Sequence, residues 1–154
     1  MKKVFAILGL MVGMLVCILA IVLYQQGGTP IPVQYDNMCS QSYDGKLVTV
    51  EGYLEVGSSV MVNKSRNGTT YNIEFKKTPA DTKYVSAEVE QGRWWNCMEG
   101  LAKSYKPEDI KFHTNDGTVL TPKDRMRITA RVRSTTQGGT REVCYIKVTK
   151  IEKA

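Results

Sequence analysis

The sequence predicts an all-β domain with a small helical insertion, built as a closed five-stranded barrel and preceded by one transmembrane helix. Three observations lead to this prediction. Residues 4–23 form an uncharged apolar run, two later segments alternate apolar with polar residues, and Asn67-Gly68 separates two apolar stretches. Alternation with a period of two is typical of half-buried strands, and Asn-Gly favours a tight hairpin. The chain of 154 residues leaves room for one compact domain after the apolar run.

The apolar run is the predicted membrane anchor. It has 20 residues without a charge, and about 20 apolar residues in a helix span a hydrocarbon core of roughly 30 Å. Lys2 and Lys3 precede the run, and the next basic residue is Lys46. The positive-inside rule therefore predicts a single-pass protein with a cytoplasmic N-terminus and an extracytoplasmic C-terminal domain, periplasmic or at the cell surface. The Gly9 and Gly13 spacing leaves pairing of two anchors open.

Composition divides the chain into three regions. Residues 1–24 are the expected anchor, residues 25–43 a stalk and lead-in that begins with a Gly- and Pro-rich stretch, and residues 44–154 the barrel domain. The formal net charge of +6 is a mild excess. It suits an anionic partner without requiring one.

The strand predictions rest on alternation and turn residues. Residues 46–56 alternate strictly and contain Gly52, which predicts a bulge or a sharp bend. A hairpin is predicted around Asn67-Gly68, and further strands at residues 125–133 and 143–151. Residues 83–90 fit a strand slightly better than a helix. Residues 94–105 place apolar side chains at helical spacing, which predicts the helical insertion.

This order of elements resembles the OB-fold, a five-stranded Greek-key barrel. The segments LVTVEGYLEV, DRMRITARV and CYIKVTKIEK are similar to the first, fourth and fifth strands of bacterial OB domains of the tRNA-anticodon-binding-like family. Residues 109–132 are also similar to the second half of uncharacterised OB domains in bacterial secreted and membrane-anchored proteins. The resemblance covers roughly residues 44–152 and implies an OB-fold barrel, whereas function does not follow from fold.

A row of outward arginines is the most conspicuous candidate binding surface. Cations in a row suit a phosphate backbone or anionic headgroups. A structural interpretation stays open beside it, because the first and fourth strands of an OB barrel are antiparallel neighbours, so that outward Glu51 and Glu55 would pair with the arginines. The four residues are Arg125, Arg127, Arg131 and Arg133.

Three aromatic residues are further candidates for binding: Tyr53, Tyr71 and Trp94. OB domains that bind nucleic acid stack bases on such side chains. Strands also recruit aromatic residues for packing, so a place in the core or at its rim is the alternative. Because Trp94 and Trp95 are adjacent, one ring is expected to face the core and the other a ligand, a partner or the membrane interface.

Three cysteines follow the anchor, in a compartment that permits disulfides. Alternation along the last strand directs Cys144 inward, so the sequence predicts a bridge between Cys39 and Cys97. The chain has a single histidine, His113, and no CxxC motif, which disfavours a metal site. Motifs such as GxSxG and HExxH are also missing from the sequence. We therefore expect no metal, no cofactor and no enzymatic activity.

The resulting functional hypothesis is a non-catalytic binding or scaffolding module outside the membrane, for a protein partner or an anionic envelope component. A carrier of haem or another small ligand is one alternative, because membrane-tethered OB haem chaperones share this layout. Their haem-binding histidine is followed four residues later by tyrosine, whereas Gly117 stands four residues after His113 here. A nucleic-acid-binding domain is the second alternative.

Overall fold

The computed structural model describes residues 28–57, 60–66, 68–137 and 141–154. The predicted anchor lies outside these ranges. Within them, no helix has the length and apolar character needed to cross a membrane. The prediction of an all-β domain is confirmed, since the described part is dominated by nine strands: β1 Ile31–Pro32, β2 Leu47–Glu55, β3 Met61–Ser65, β4 Gly68–Lys76, β5 Val85–Glu90, β6 Phe112–His113, β7 Val119–Leu120, β8 Met126–Gln137 and β9 Arg141–Lys153.

Five of these strands close into a ring. β2 pairs with β8 from Leu47 to Gly52 and with β4 from Tyr53 to Glu55. β4 then pairs with β5, β5 with β9, and β9 with β8. All five contacts are antiparallel except that between β5 and β9, which is parallel. β1 adds to β2, and β3 adds to β4.

The hydrophobic core fills the inside of the ring. Burial alternates along the whole of β2, as the period-two pattern predicts. In β9, a register shift opposite Thr129 and Ala130 allows both Val148 and Ile151 to be buried, although they are three residues apart. Gly52 lies where β2 passes from β8 to β4, and a Cβ atom at this position would come within 2.7 Å of the Phe75 ring. The passage of β2 from one partner strand to the other therefore depends on a residue without a side chain, because Phe75 occupies the space beside Gly52.

The segment before β2 packs against the ring and is covalently joined to it. Met38 is fully buried, and the Tyr35 hydroxyl donates a 2.7 Å hydrogen bond to the Phe75 carbonyl. The structure corrects the predicted Cys39–Cys97 bridge, because Cys39 is bonded to Cys144. The alternating pattern indicates which face of β9 carries Cys144. It does not indicate how close Cys144 lies to Cys39 along the strand. Cys144 is half-buried near the start of β9, opposite Ser134 of β8, whose hydroxyl donates a 3.3 Å hydrogen bond to the Cys39 carbonyl.

The predicted helix at residues 94–105 is absent from this described stretch. Asn96 has a φ of 61°, outside the helical range. The backbone groups of Met98 are already used, since its N–H donates to Glu90 and its carbonyl accepts from Gly92. The described helical turns are three-residue 3-10 helices at Tyr35–Asn37, Gln41–Tyr43 and Pro107–Asp109. The insertion is therefore an irregular loop that is joined to neighbouring segments by backbone hydrogen bonds.

Candidate functional site

Two of the four predicted arginines share one carboxylate. Arg127 stands directly opposite Glu51 and contacts its Oε1 through Nη2 at 2.7 Å and Nε at 3.1 Å. Arg125 Nη2 lies 3.3 Å from the other carboxylate oxygen. The hydrogen bond from Arg127 is the main reason why the pKa of Glu51 is lowered. This arrangement matches the cross-strand pairing that was left open for Glu51.

The other two arginines do not extend this pair into a continuous cationic row. Arg131 donates from Nη1 to the Gly45 carbonyl at 2.7 Å, whereas Arg133 is exposed opposite Tyr145 of β9. Glu55, the second acid expected to face the arginines, instead accepts a 2.7 Å bond from Lys76. Arg133 is thus the predicted arginine whose charge is most available to a ligand.

The neighbouring outer face of β4, β5 and β9 carries glutamates that are mostly paired with lysines. Glu74 lies 3.1 Å from Lys76 Nζ, and Glu88 lies 3.6 Å from Lys147 Nζ. Glu90 is exposed at the end of β5. The lysines of this face are thus shared with carboxylates and do not form a row of free cations for a polyanion.

The predicted aromatic residues are placed in three different environments. Tyr71 is only 5% exposed, and its hydroxyl accepts a 3.2 Å hydrogen bond from Leu101 N–H. Tyr53 is half-buried on β2. Trp94 is 60% exposed, and Trp95, which the expected helix would have directed inward, is 69% exposed. Both indole rings therefore lie on the surface, in contrast to the expectation that one would enter the core.

The loop that displays the two tryptophans is held at several points. Gly92 N–H donates to the Met98 carbonyl at 2.9 Å, which closes the base of the loop. Asn96 adopts the left-handed conformation, its Oδ1 accepts a 2.8 Å bond from Ile151 N–H, and its Nδ2 lies 3.3 Å from Asn115 Oδ1. We call residues 92–96 with both exposed rings the tryptophan loop. Sequence reasoning missed Trp95, although the turn-forming residues Gly92 and Asn96 on either side of the pair were a signal for a loop.

Gly92 lies directly against the indole ring of Trp94. A Cβ atom at Gly92 would lie 2.7 Å from Cε2 and Cζ2 of Trp94, so the indole rests directly over the glycine backbone. The ring thus packs on the glycine backbone on one side and is exposed to solvent on the other. A large aromatic surface that is held before binding loses little conformational entropy when a partner covers it.

The sequence matches no protein-family model and no curated protein. Geometry and chemistry are therefore the basis for choosing among the surfaces described above. The tryptophan loop is the surface with the largest exposed aromatic side chains, whereas several glutamates around the ring are paired with arginines or lysines.

Cys97, beneath the tryptophan loop, is predicted to resist alkylation. Its side chain is 1% exposed, and burial, helped by the charge of Glu90, raises the pKa of the thiol from 9.0 to about 11. Since the thiolate is the reactive form, its fraction at a given pH falls roughly 100-fold. In a Cys17→Ala background, we expect iodoacetamide at pH 8 to label native Cys97 at least 100-fold more slowly than the unfolded chain.

Mass spectrometry of the labelled chain measures this difference without a reductant. With the Cys39–Cys144 bridge intact, one thiol should react in urea and none in buffer. Rapid labelling of one thiol in buffer would contradict the burial of Cys97.

Proposed function

We propose that this chain is a non-catalytic binding module, an OB-fold barrel that is displayed outside the membrane by its leading helix. In this proposal the tryptophan loop engages a protein partner in the cell envelope. The chain is a single-pass protein in which residues 4–23 span the bilayer. No cofactor takes part in this function.

The path of the sheet supports the OB-fold. In an OB barrel the first and fourth strands are antiparallel neighbours, and the strands follow a Greek-key order. Among the five ring strands, β2 is the first along the chain and β8 the fourth, and they pair in antiparallel over six residues, from Leu47↔Arg131 to Gly52↔Met126. The last strand, β9, pairs with its sequence neighbour β8 on one side and in parallel with β5, the third ring strand, on the other.

The two exposed tryptophans support a protein partner most directly. Tryptophan is among the residues that contribute most to protein–protein affinity. Side chains that are 60% and 69% exposed leave two large apolar rings in water unless something covers them. The hydrogen bonds of Asn96 hold the loop that displays them.

Charge favours a protein over a nucleic acid. The β4 and β5 face corresponds to the second and third strands, which OB domains use for oligonucleotides. Here that face holds Glu74, Glu88 and Glu90. Arg125 and Arg127 are already paired with Glu51. On both faces most cations are already paired with carboxylates, so neither offers phosphate groups a continuous row of free cations within the described residues.

The geometry of His113 gives little support to haem delivery. Its Nε2 lies 3.0 Å from Glu99 Oε1, and the side chain is 14% exposed. An axial ligand needs a free ring nitrogen that an incoming iron can reach. Haem would have to displace this contact and open the loop around it.

Site-specific photocrosslinking in the native membrane tests the proposal. We expect a photoreactive side chain at Trp95 to give one discrete adduct with an envelope protein. With that protein purified, Trp94→Ala/Trp95→Ala should weaken its binding by at least about 30-fold, the effect of losing a hot spot of 2 kcal/mol or more. Urea unfolding should change little, because both side chains are exposed.

A photoreactive group at Tyr145 is the matched control, since this aromatic side chain is also exposed but lies beside Arg133. An adduct from Tyr145 and none from Trp95 would contradict the proposal. The chain has two tryptophans, both in the tryptophan loop, so intrinsic fluorescence reports on this surface alone. A blue shift with anionic lipid vesicles and no protein adduct would reassign the loop to the bilayer.

A further inference from the structure

A second surface lies beside the tryptophan loop, at the outer strand of the β3–β4 hairpin. β3 pairs only with β4 within the described ranges, and every residue of β3 is exposed. In an antiparallel pair, every second residue directs its N–H and C=O away from the partner strand. From Met61 to Lys64 the hairpin therefore offers a row of backbone groups that an additional strand can use.

One face of this hairpin borders a groove of about 580 Å³, lined by both apolar and polar side chains. Val60 and Val62 form its wall on the hairpin side, and Leu101 and Tyr105 form the opposite wall. Val62 is 45% exposed, so its side chain is accessible to an added segment. The groove is apolar enough to accept aliphatic side chains from an added strand.

The opposite wall is fixed by hydrogen bonds to tyrosine hydroxyls. Leu101 N–H donates to the Tyr71 hydroxyl at 3.2 Å, and the Tyr105 hydroxyl donates to the Gly57 carbonyl at 3.0 Å. Gln91 also lines the groove, one residue before the tryptophan loop begins. The groove and the tryptophan loop are thus continuous along the chain.

Charge indicates what the groove receives. Two lysines line it, Lys64 on β3 and Lys103 on the opposite wall, and no acidic residue is among its lining residues. A second copy of the chain would bring the same cations to this edge, so that like charges would meet. A segment with carboxylates would pair with them instead.

We propose that β3 receives an extended segment of the protein partner as an added strand, with aliphatic and acidic side chains alternating toward the groove. This inference rests on the proposed function, because it describes how the same partner continues beyond the tryptophan loop. Backbone hydrogen bonds to β3 supply affinity, and the groove selects every second side chain of the added strand. The selected side chains are aliphatic beside Val60 and Val62 and acidic beside Lys64 and Lys103.

The probe is a fluorescent eight-residue peptide in which valine, leucine and two glutamates alternate with threonine. We expect it to bind the full-length chain in detergent with saturation. Lys64→Glu/Lys103→Glu should weaken binding at least 10-fold, and a second peptide with lysines in place of the glutamates should bind this variant at least 10-fold better than it binds the wild type. Fluorescence anisotropy measures all four combinations.

Backbone methylation separates strand addition from side-chain contact alone. N-methyl groups on one alternate set of peptide residues should abolish binding, and the same groups on the other set should leave affinity within about twofold. No saturable binding, equal effects of the two methylated sets, or no response to the charge reversal would each overturn the proposal. A detergent-stable dimer that Val62→Asp dissociates would place a second copy on β3 and overturn it as well.

The two proposals can fail separately. Trp94→Ala/Trp95→Ala should bind the peptide within twofold of the wild type, since the groove does not include either ring. If that holds while crosslinking from Trp95 fails, β3 is a strand-binding edge and the tryptophan loop is not the partner surface. Loss of peptide binding in the tryptophan variant would overturn the assignment of the peptide to β3.

Discussion

Replacement of both Cys39 and Cys144 by serine is expected to lower the free energy of unfolding by about 2–5 kcal/mol. The bridge joins residues separated by 105 positions in the chain. Cutting it releases a long loop in the unfolded state, whose added conformational freedom favours unfolding. The segment that contains the buried Met38 should then be the first part to detach from the ring. Urea unfolding of the full-length chain measures the change.

A reductant provides the control for this prediction. It should destabilise the wild type by about as much as the double substitution does, and it should leave the double variant unchanged. Cys97 has no disulfide partner, so an effect of reductant on the double variant would mean that a different bridge exists. That result would contradict the Cys39–Cys144 connectivity.

Gly52→Ala is expected to destabilise the protein by about 3 kcal/mol, near the upper end of the usual cost of overpacking. The added methyl group would lie 2.7 Å from Phe75 Cζ and would also press on the Lys76 carbonyl. Neither neighbour can withdraw easily, because Phe75 is fully buried and Lys76 pairs with Tyr53 of β2. Thermal and urea unfolding both measure this effect.

Gly28→Ala is the matched control, since a Cβ atom at that position meets nothing within 4 Å. Its stability should stay within about 0.5 kcal/mol of the wild type. If the Gly52→Ala protein were as stable as the Gly28→Ala protein, a side chain would be tolerated at the point where β2 stops pairing with β8 and begins to pair with β4. Close packing of Phe75 and Lys76 against residue 52 would then not account for the glycine at this position.

Much of the sheet follows from local sequence. The alternation in β2 and β8 is clear because polar and apolar residues strictly exchange places, and Gly45 before β2 takes the left-handed conformation that a turn requires. The opposition of Glu51 and Arg127 could also be expected once the two strands were taken as neighbours. These features depend on residues close in sequence or on one strand pairing.

The features that sequence reasoning missed depend on distant parts of the chain. The spacing of Trp95, Met98 and Tyr105 imitates a helix, but Met98 is buried through backbone bonds to Glu90 and Gly92 rather than through a helical face. Likewise, no local pattern brings Cys39 to Cys144. The bridge joins residues that are 105 positions apart, and the bonds of Met98 depend on where β5 ends.

The Cys39–Cys144 bond also determines how the domain responds to tension. β1 is joined to β2 through only two residue pairs, Ile31↔Val48 and Pro32↔Thr49, so pulling on the chain ahead of Gly28 would peel this strand away first. The bond stops that peeling at Cys39 and transfers the load to β9, which is bordered by β8 on one side and β5 on the other. A load applied ahead of Gly28 therefore reaches a strand that is held by backbone hydrogen bonds on both sides, rather than a strand held by two residue pairs.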